Sequence, residues 1–282
     1  MKISQKNWKR SVRLVLVLMA PVVQAQMKGA EVSAFRMPEY DAQGIMTSQL
    51  FGERAEVEEN GEVRITGLRI ESYKDGKTVM EVTSPYCFFN QKTRDAHSDA
   101  PVAATMERMQ LQGRGFLLKS GDGTVNVFNE SRVTIKDVIH QVLSAAAIDT
   151  NETVITSKEL FLEYKKKNAR FERNVHVQDS KMEMFCDKLE IHAGEGNQID
   201  WIEASTGVRI LSEGREALAE NAVYNAKSDE FVLRGNPRIF DGRNVLTGDQ
   251  ISFWRGSGRI SCKPARFVFY SGDQLKSGLF EK

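Results

Sequence analysis

Three carboxylates, Asp187, Glu220 and Asp249, occupy one position of a pattern that occurs three times in the second half of a 282-residue chain. Acids carried at a regular interval on stacked strands are the equipment of a polysaccharide hydrolase or lyase, in which one carboxyl gives a proton and another takes one. That division of labour needs two environments that hold two pKa values apart. Recurrence at one template position gives the three acids the same surroundings, so a structural turn accounts for them better. The other reactive side chains are no better placed. His97, His140, His176 and His192 show no HExxH or other metal-ligand spacing. Ser131 and Ser144 lie in no nucleophile-elbow context. Gly113-Arg-Gly115 lacks the third glycine and the following helix of a dinucleotide loop and reads as a strand bend. Cys87, Cys186 and Cys262 contain no CxxC, which leaves open whether Cys87 and Cys262 pair. Cys186 reads as a core thiol, because its repeat position is held elsewhere by Ala219 and Gly248. No catalytic residue, metal site or cofactor is expected.

The elements that carry these residues are short and repeated. Asn174-Val-His-Val177 with Phe185-Cys-Asp-Lys-Leu-Glu-Ile191 returns 33 positions on, as Gly207-Val-Arg-Ile210 with Leu218-Ala-Glu-Asn-Ala-Val-Tyr224. It returns again after 29 more, as Asn236-Pro-Arg-Ile239 with Thr247-Gly-Asp-Gln-Ile-Ser-Phe253. A unit this short cannot bury its own apolar face and depends on stacked neighbours. Strand side chains alternate faces, and the repeat thereby defines an inside. Phe171, Val175, Val177, Met184 and Cys186 share it in the first unit, and Val208, Ile210, Ala217 and Ala219 in the second. In the third it holds Phe231, Leu233, Ile239, Leu246 and Gly248. Beyond the small residue the phase slips, so that Leu189 and Ile191, Ala222 and Tyr224, and Ile251 and Phe253 become the inward pairs. A slip that recurs three times predicts a bulge at each acid. His176 and His192 fall on the outward parity and are expected to be solvated.

The first half carries the same strand signals. Glu62–Tyr73 and Thr78–Thr83 flank Asp75-Gly76, a hairpin turn, and Asn60-Gly61, Asp122-Gly123 and Asp241-Gly242 add three more. From Val133 to Ala147, apolar residues recur at three- and four-residue steps and predict a short helix that ends one β module before the next begins. At the N-terminus, Lys2, Lys6, Lys9, Arg10 and Arg13 precede an apolar run from Leu14 to Val23, and Val23-Gln24-Ala25 suits signal peptidase. Cleavage after Ala25 is expected, with an uncleaved anchor as the alternative. Charges nearly cancel, 39 basic against 38 acidic, so no long-range field gathers nucleic acid. Lys165-Lys-Lys167 reads as a solvated strand end, with a lipid phosphate or an acidic membrane surface as the rival reading.

From Val154 to Pro264 the linked pattern resembles the OstA or LptA family of periplasmic lipopolysaccharide-transport proteins. It is carried by the repeat, by Phe231-Val-Leu-Arg-Gly-Asn-Pro-Arg-Ile-Phe-Asp-Gly242 and by Leu246-Thr-Gly-Asp-Gln-Ile-Ser-Phe253. Leu111-Gln-Gly-Arg-Gly-Phe116 and Val125–Ile135 resemble the companion LptC-like module. LptC proteins usually keep an N-terminal anchor, whereas this chain shows a cleavable signal. The resemblance implies an all-β fold, an open, V-shaped, elongated β-jellyroll of antiparallel stacked strands, here as two modules joined by a short helix. The expected divisions are a signal peptide (1–25), an LptC-like module (31–135), a linker or helix (136–152), an OstA/LptA-like module (153–270) and a tail (271–282).

The implied role is a periplasmic, non-enzymatic carrier that helps to bridge two membranes in lipopolysaccharide transport. Its partners would be lipopolysaccharide or a related glycolipid, and other β-jellyroll proteins or further copies joined by strand addition at the sheet edges. Each methylene withdrawn from water contributes ~0.8 kcal/mol, so an acyl chain of about a dozen carbons needs an apolar lining worth on the order of 10 kcal/mol. The groove candidates are Phe171, Val175, Val177, Met184, Leu189, Ile191, Val208 and Ile210, continuing through Phe231, Leu233, Ile239, Ile251 and Phe253. Two rivals stand beside this reading: a polymerising β-solenoid scaffold without lipid, and a polysaccharide-active enzyme.

Overall fold

The computed structural model describes residues 31–106, 108–138, 150–194, 199–254 and 257–268. The expected signal peptide and tail, and most of the expected linker with His140 and Ser144, lie outside them. The described chain forms one antiparallel sheet of 19 strands. The first seven are β1 (Glu31–Tyr40), β2 (Met46–Val57), β3 (Val63–Lys74), β4 (Lys77–Phe89), β5 (Ala96–Met106), β6 (Met109–Lys119) and β7 (Thr124–Val138). Six follow as β8 (Thr150–Ser157), β9 (Glu159–Glu163), β10 (Asn168–Gln178), β11 (Met182–Ala193), β12 (Ile199–Ser212) and β13 (Arg215–Asn225). The last six are shorter: β14 (Glu230–Arg234), β15 (Arg238–Asp241), β16 (Asn244–Thr247), β17 (Gln250–Trp254), β18 (Ile260–Lys263) and β19 (Arg266–Val268).

All four Asx-Gly pairs are strand connections, and Asp75 with Gly76 takes φ of 53° and 72°, the geometry of a tight hairpin. Strands β1 to β7 pair in chain order. At β7 the order divides: Ser131–Val138 pairs with β8 and Thr124–Val127 with β9, and both of these pair with β10. Beyond β13 the sheet divides again, through β14, β17 and β18 on one side and β15, β16 and β19 on the other.

The long strands are bent in the middle. Register breaks fall between Glu172 and Val175, between Phe185 and Lys188, and between Ser205 and Val208. Each break divides a strand into two arms. Arm A contains Asn168–Glu172 and Lys188–Ala193, and arm B contains Val175–Gln178 and Met182–Phe185. Inward residues of both arms belong to one hydrophobic core, so the sheet is folded over along the line of corners.

Two kinds of corner alternate along that line. Asp187, Glu220 and Asp249 sit at one kind, as the sequence predicts, each skipped by the ladder. The other kind holds the first residue of each repeat: Asn174, Gly207 and Asn236 have φ of 54°, 68° and 52°. Left-handed backbone costs an ordinary L-residue about 1–2 kcal/mol and is visited routinely by Gly and tolerated by Asn. The repeat therefore starts with Asn or Gly for a conformational reason. Gly115, at φ 72°, makes a corner of the same sort in β6, where Gly113-Arg-Gly115 is the expected bend.

At the corner between β4 and β5 the ladder stops after Thr83↔Ala103 and resumes at Phe88↔His97. Pro85 and Pro101, which have no N–H to donate, lie in the gap. Two buried serines supply the missing partners: Ser84 Oγ donates to the Tyr86 carbonyl at 3.0 Å, and the Ala100 N–H donates to Ser98 Oγ at 3.0 Å. Tyr86 and Asp99 are hydrogen-bonded across the same gap.

The helix expected from Val133 is not formed where the chain is described. Residues 133–138 complete β7, with Val133 opposite Ile155 and Ile135 opposite Thr153. Val133 and Ile135 also satisfy a two-residue alternation, and β-branched residues favour a ladder partner over a helical turn. Residues 136–152 are therefore strand at both ends, and 139–149 lie outside the described residues.

Candidate functional site

Two uninterrupted apolar ladders run through the inside of the sheet. In arm A, the first half of the chain contributes Val57, Val63, Phe89, Ala96, Leu118 and Val125 as successive cross-strand partners. Val125 opposes Leu162, which opposes Ala169, and the ladder passes through Ile191, Ile202, Tyr224, Phe231 and Phe253 to Ile260. In arm B, Met37, Leu50, Ile70, Val82, Ala104, Leu111 and Val133 lead to Ile155. From there the ladder continues through Val177, Met184, Ile210, Ala217, Ile239 and Leu246 to Phe267. The one hydroxyl in either series belongs to Tyr224, and it donates to Asp229 Oδ1 at 2.9 Å.

All thirteen groove candidates face this interior, and the structure separates them by depth. Phe171, Leu189, Leu233 and Ile251, on the rung beside the corner, are no more than 2% exposed and form a closed floor. Val175, Val177, Met184, Val208, Ile210 and Ile239 are buried in arm B, and Ile191 and Phe231 in arm A. Phe253 is half-buried, as are Ile202, Tyr224 and Ile260 on the same ladder, whereas Ile191 and Phe231 on it are buried. Tyr224, Phe231 and Phe253 form a continuous aromatic strip along it, with ring centroids 4.7 and 4.8 Å apart. Ile202 escapes a reading of the repeat because it lies in the half of β12 before Gly207.

The small residue shared by the repeats also has a steric cause. A side chain at Gly248 would strike Cys262 Sγ and the Pro264 carbonyl, where the corner between β16 and β17 passes close to the end of β18. Cys186, at the equivalent place, is a buried free thiol, and Cys87 and Cys262 are unpaired as well. Burial pushes the Cys87 and Cys186 thiols from 9.0 up to about 12. Both stay protonated at neutral pH and behave as apolar lining.

The outer face departs from expectation at two histidines. His176 stacks on Phe185 with centroids 4.5 Å apart, and His192 on Trp201 at 3.6 Å. Each Nε2 is buried without a hydrogen-bond partner, and the His176 ring nitrogen stands 3.8 Å from the Glu183 carboxylate. Cross-strand aromatic neighbours shield both rings, which strand parity alone does not reveal. Lys165–Lys167 is likewise engaged. Lys165 Nζ donates to the Gly121 carbonyl at 2.6 Å, Lys166 pairs with Glu163 at 2.7 Å, and Lys167 Nζ reaches the Gly194 carbonyl at 3.1 Å. These exposed lysines tie neighbouring turns together, as befits a solvated strand end, and Lys166 is ion-paired with Glu163.

At two of the repeat's acids the backbone is tied across the corner. Glu220 N–H donates to the Gly235 carbonyl at 3.1 Å, and Asp249 N–H to that of Lys263 at 3.3 Å. Ser131, buried, lies 2.6 Å from Ser157 Oγ at the joint between β7 and β8. Among the described residues, no group of three His, Cys, Asp or Glu side chains is placed to hold a metal ion.

Residues 154–259 match the family model of the LptA/(LptD N-terminal domain) LPS transport protein. Among solved structures, the chain is similar to LptH, the LptA-homologous periplasmic component of the conserved lipopolysaccharide transport device of Pseudomonas aeruginosa. The likeness has 10% identity and a TM-score of 0.38, and covers 42% of this chain and 94% of that one. No curated protein matches the chain.

Proposed function

We propose, from the match of residues 154–259 to the LptA/(LptD N-terminal domain) family model, that the chain is a periplasmic carrier that holds the acyl part of a lipopolysaccharide between its two arms and hands it on without chemical change. The two unbroken ladders carry this reading. A lipid crossing an aqueous space needs a lining without a polar step, since each exposed methylene costs about 0.8 kcal/mol. Partners of the same architecture would join at the sheet edges. β1 pairs with β2 alone among the described residues, and it leaves Val32, Met37 and Tyr40 exposed along an open edge suited to strand addition.

Mass spectrometry of the gently extracted full chain tests the proposal. A copurified glycolipid is the expected result. A lipid-free protein that assembles into concentration-dependent filaments would instead establish the scaffold reading.

A further inference from the structure

The outer face of arm A is hollowed over β9, β10 and β11. Six half-buried side chains form two rungs of three there: Phe161 opposes Arg170, which opposes Glu190, and Glu163 opposes Asn168, which opposes His192. They line a cavity of about 120 Å³, several times the ~30 Å³ share of one water molecule. Among the described residues three side-chain nitrogens are buried without a hydrogen-bond partner, and two of them, Arg170 Nε and His192 Nε2, belong to residues of this cavity. Arg170 Nε stands 2.8 Å from Glu172 Oε1, but its N–H is not aimed at that oxygen. The two carboxylates of the wall are already engaged, Glu163 by Lys166 Nζ and Glu190 by Lys188 Nζ, each at 2.7 Å. Each charged side chain of the wall thus has its counter-ion, and what the cavity presents is two nitrogens in want of an acceptor. A buried donor left without one is costly. Phe161, whose ring lies 4.8 Å from the Arg170 guanidinium, adds an apolar wall.

We propose that this cavity binds the acetamido group of an N-acetylated sugar, within a glycan that lies on the outer face of arm A. The amide carbonyl is a neutral acceptor, and it takes the N–H of Arg170 and that of His192 in the tautomer whose Nε2 donates. The stack of His192 on Trp201 holds the imidazole in place for this bond. The acetamido methyl rests on Phe161, and sugar hydroxyls donate to the oxygens of Glu163 and Glu190 that the lysines leave free. An anion suits the cavity less well, because it would compete with Glu172 for Arg170 and would face both wall carboxylates. A peptide strand also fits poorly, since β9, β10 and β11 are each paired on both sides and offer no open edge. The same strands turn Leu162 and Ile191 to the interior, so the site is separate from the apolar lining and does not rest on the carrier reading.

Saturation-transfer NMR on the full chain tests the site with chitotriose, with the deacetylated glucosamine trimer and with N-acetyl-trialanine amide. Chitotriose is expected to bind, with the strongest saturation on its acetamido methyls, and neither of the others is. R170K keeps the charge and removes the Nε–H, while H192F keeps a ring against Trp201 and removes the nitrogen. Each is expected to weaken chitotriose binding about tenfold, with an unchanged circular dichroism spectrum and unchanged copurified glycolipid. No binding of chitotriose, equal binding of the deacetylated trimer or of the peptide, or full binding by both variants overturns the inference and leaves the carrier reading intact. So does a chitotriose-soaked crystal that shows an ordered water only beside Arg170 and His192. A joint loss of chitotriose and glycolipid in the variants overturns the separateness of the site.

Discussion

Glu220 and Asn236 meet across a corner of the sheet, the carboxylate accepting from the Asn236 side-chain amide at 3.3 Å. One residue supplies the acidic bend of β13 and the other the left-handed bend between β14 and β15, so the two kinds of corner lock together. Neutralising the acids in D187N/E220Q/D249N is expected to lower the thermal midpoint and to leave glycolipid binding in the cold in place. N236G should be tolerated, whereas N236V should lose about 1–2 kcal/mol in urea unfolding, the cost of forcing a branched residue into the left-handed region.

The closed floor and the half-buried Phe253 should respond differently to truncation. Leu233→Ala removes a fully buried side chain beside the corner and is expected to cost about 2–5 kcal/mol in chemical denaturation. Phe253→Ala, at a half-buried position, should cost less stability and more lipid, read as copurified glycolipid per mole of protein. Equal losses of stability at the two sites would show that Phe253 is packed as firmly as Leu233.

Alkali should unfold the protein by way of its buried thiols. Cys87 and Cys186 have folded pKa values raised to about 12. Their contribution is complete below the ordinary thiol value of 9.0 and is lost as pH rises from there towards 12, because only the unfolded chain releases the protons in that window. C87A/C186A should flatten the alkaline limb of a stability-against-pH curve, and neither thiol should react with Ellman's reagent in the native protein at pH 8.

Glu39, on the arm B side of β1, opposes Ser48 on β2 and pairs with Arg94, in the turn between β4 and β5 at the far end of arm A. The pair spans the opening between the arms near the N-terminal edge. Both side chains are about 40% exposed, so the bridge contributes no more than roughly 1 kcal/mol to global stability. R94A is therefore expected to leave the unfolding midpoint nearly unchanged while speeding amide hydrogen exchange in β1.

What the sequence revealed depends on the range of the interaction responsible. Inward parity is local, so strand alternation alone is enough to assign Phe171, Ile210 and Phe253 to the inner face. The phase slip at Asp187, Glu220 and Asp249 was legible for the same reason, since a bulge displaces every later residue of its own strand. The identity of Asn174 and Asn236 was a backbone requirement that a list of side-chain roles conceals. At Val133 and Ile135 two periods fit equally well, and only the partner strand β8, in particular Ile155, selects between them. The stacking of His192 on Trp201 and the ion pair of Arg215 with Asp241 are cross-strand facts, and they emerge only when the register of two strands is known together.

The connectivity of the sheet also dictates an order of assembly. The widest rung in sequence, Thr124 with Glu163, closes only 39 residues, and most strands dock on the one made just before them, the exceptions being β9, β15, β17 and β19. Closure entropy grows slowly over such distances, and chains dominated by near-neighbour contacts reach the native state quickly. A polypeptide delivered end first, as through a translocation pore, could lay down each hairpin on a template already in place. Up to β13 each new strand would find its partner among the last two laid down, and beyond it the chain would add alternately to two branches.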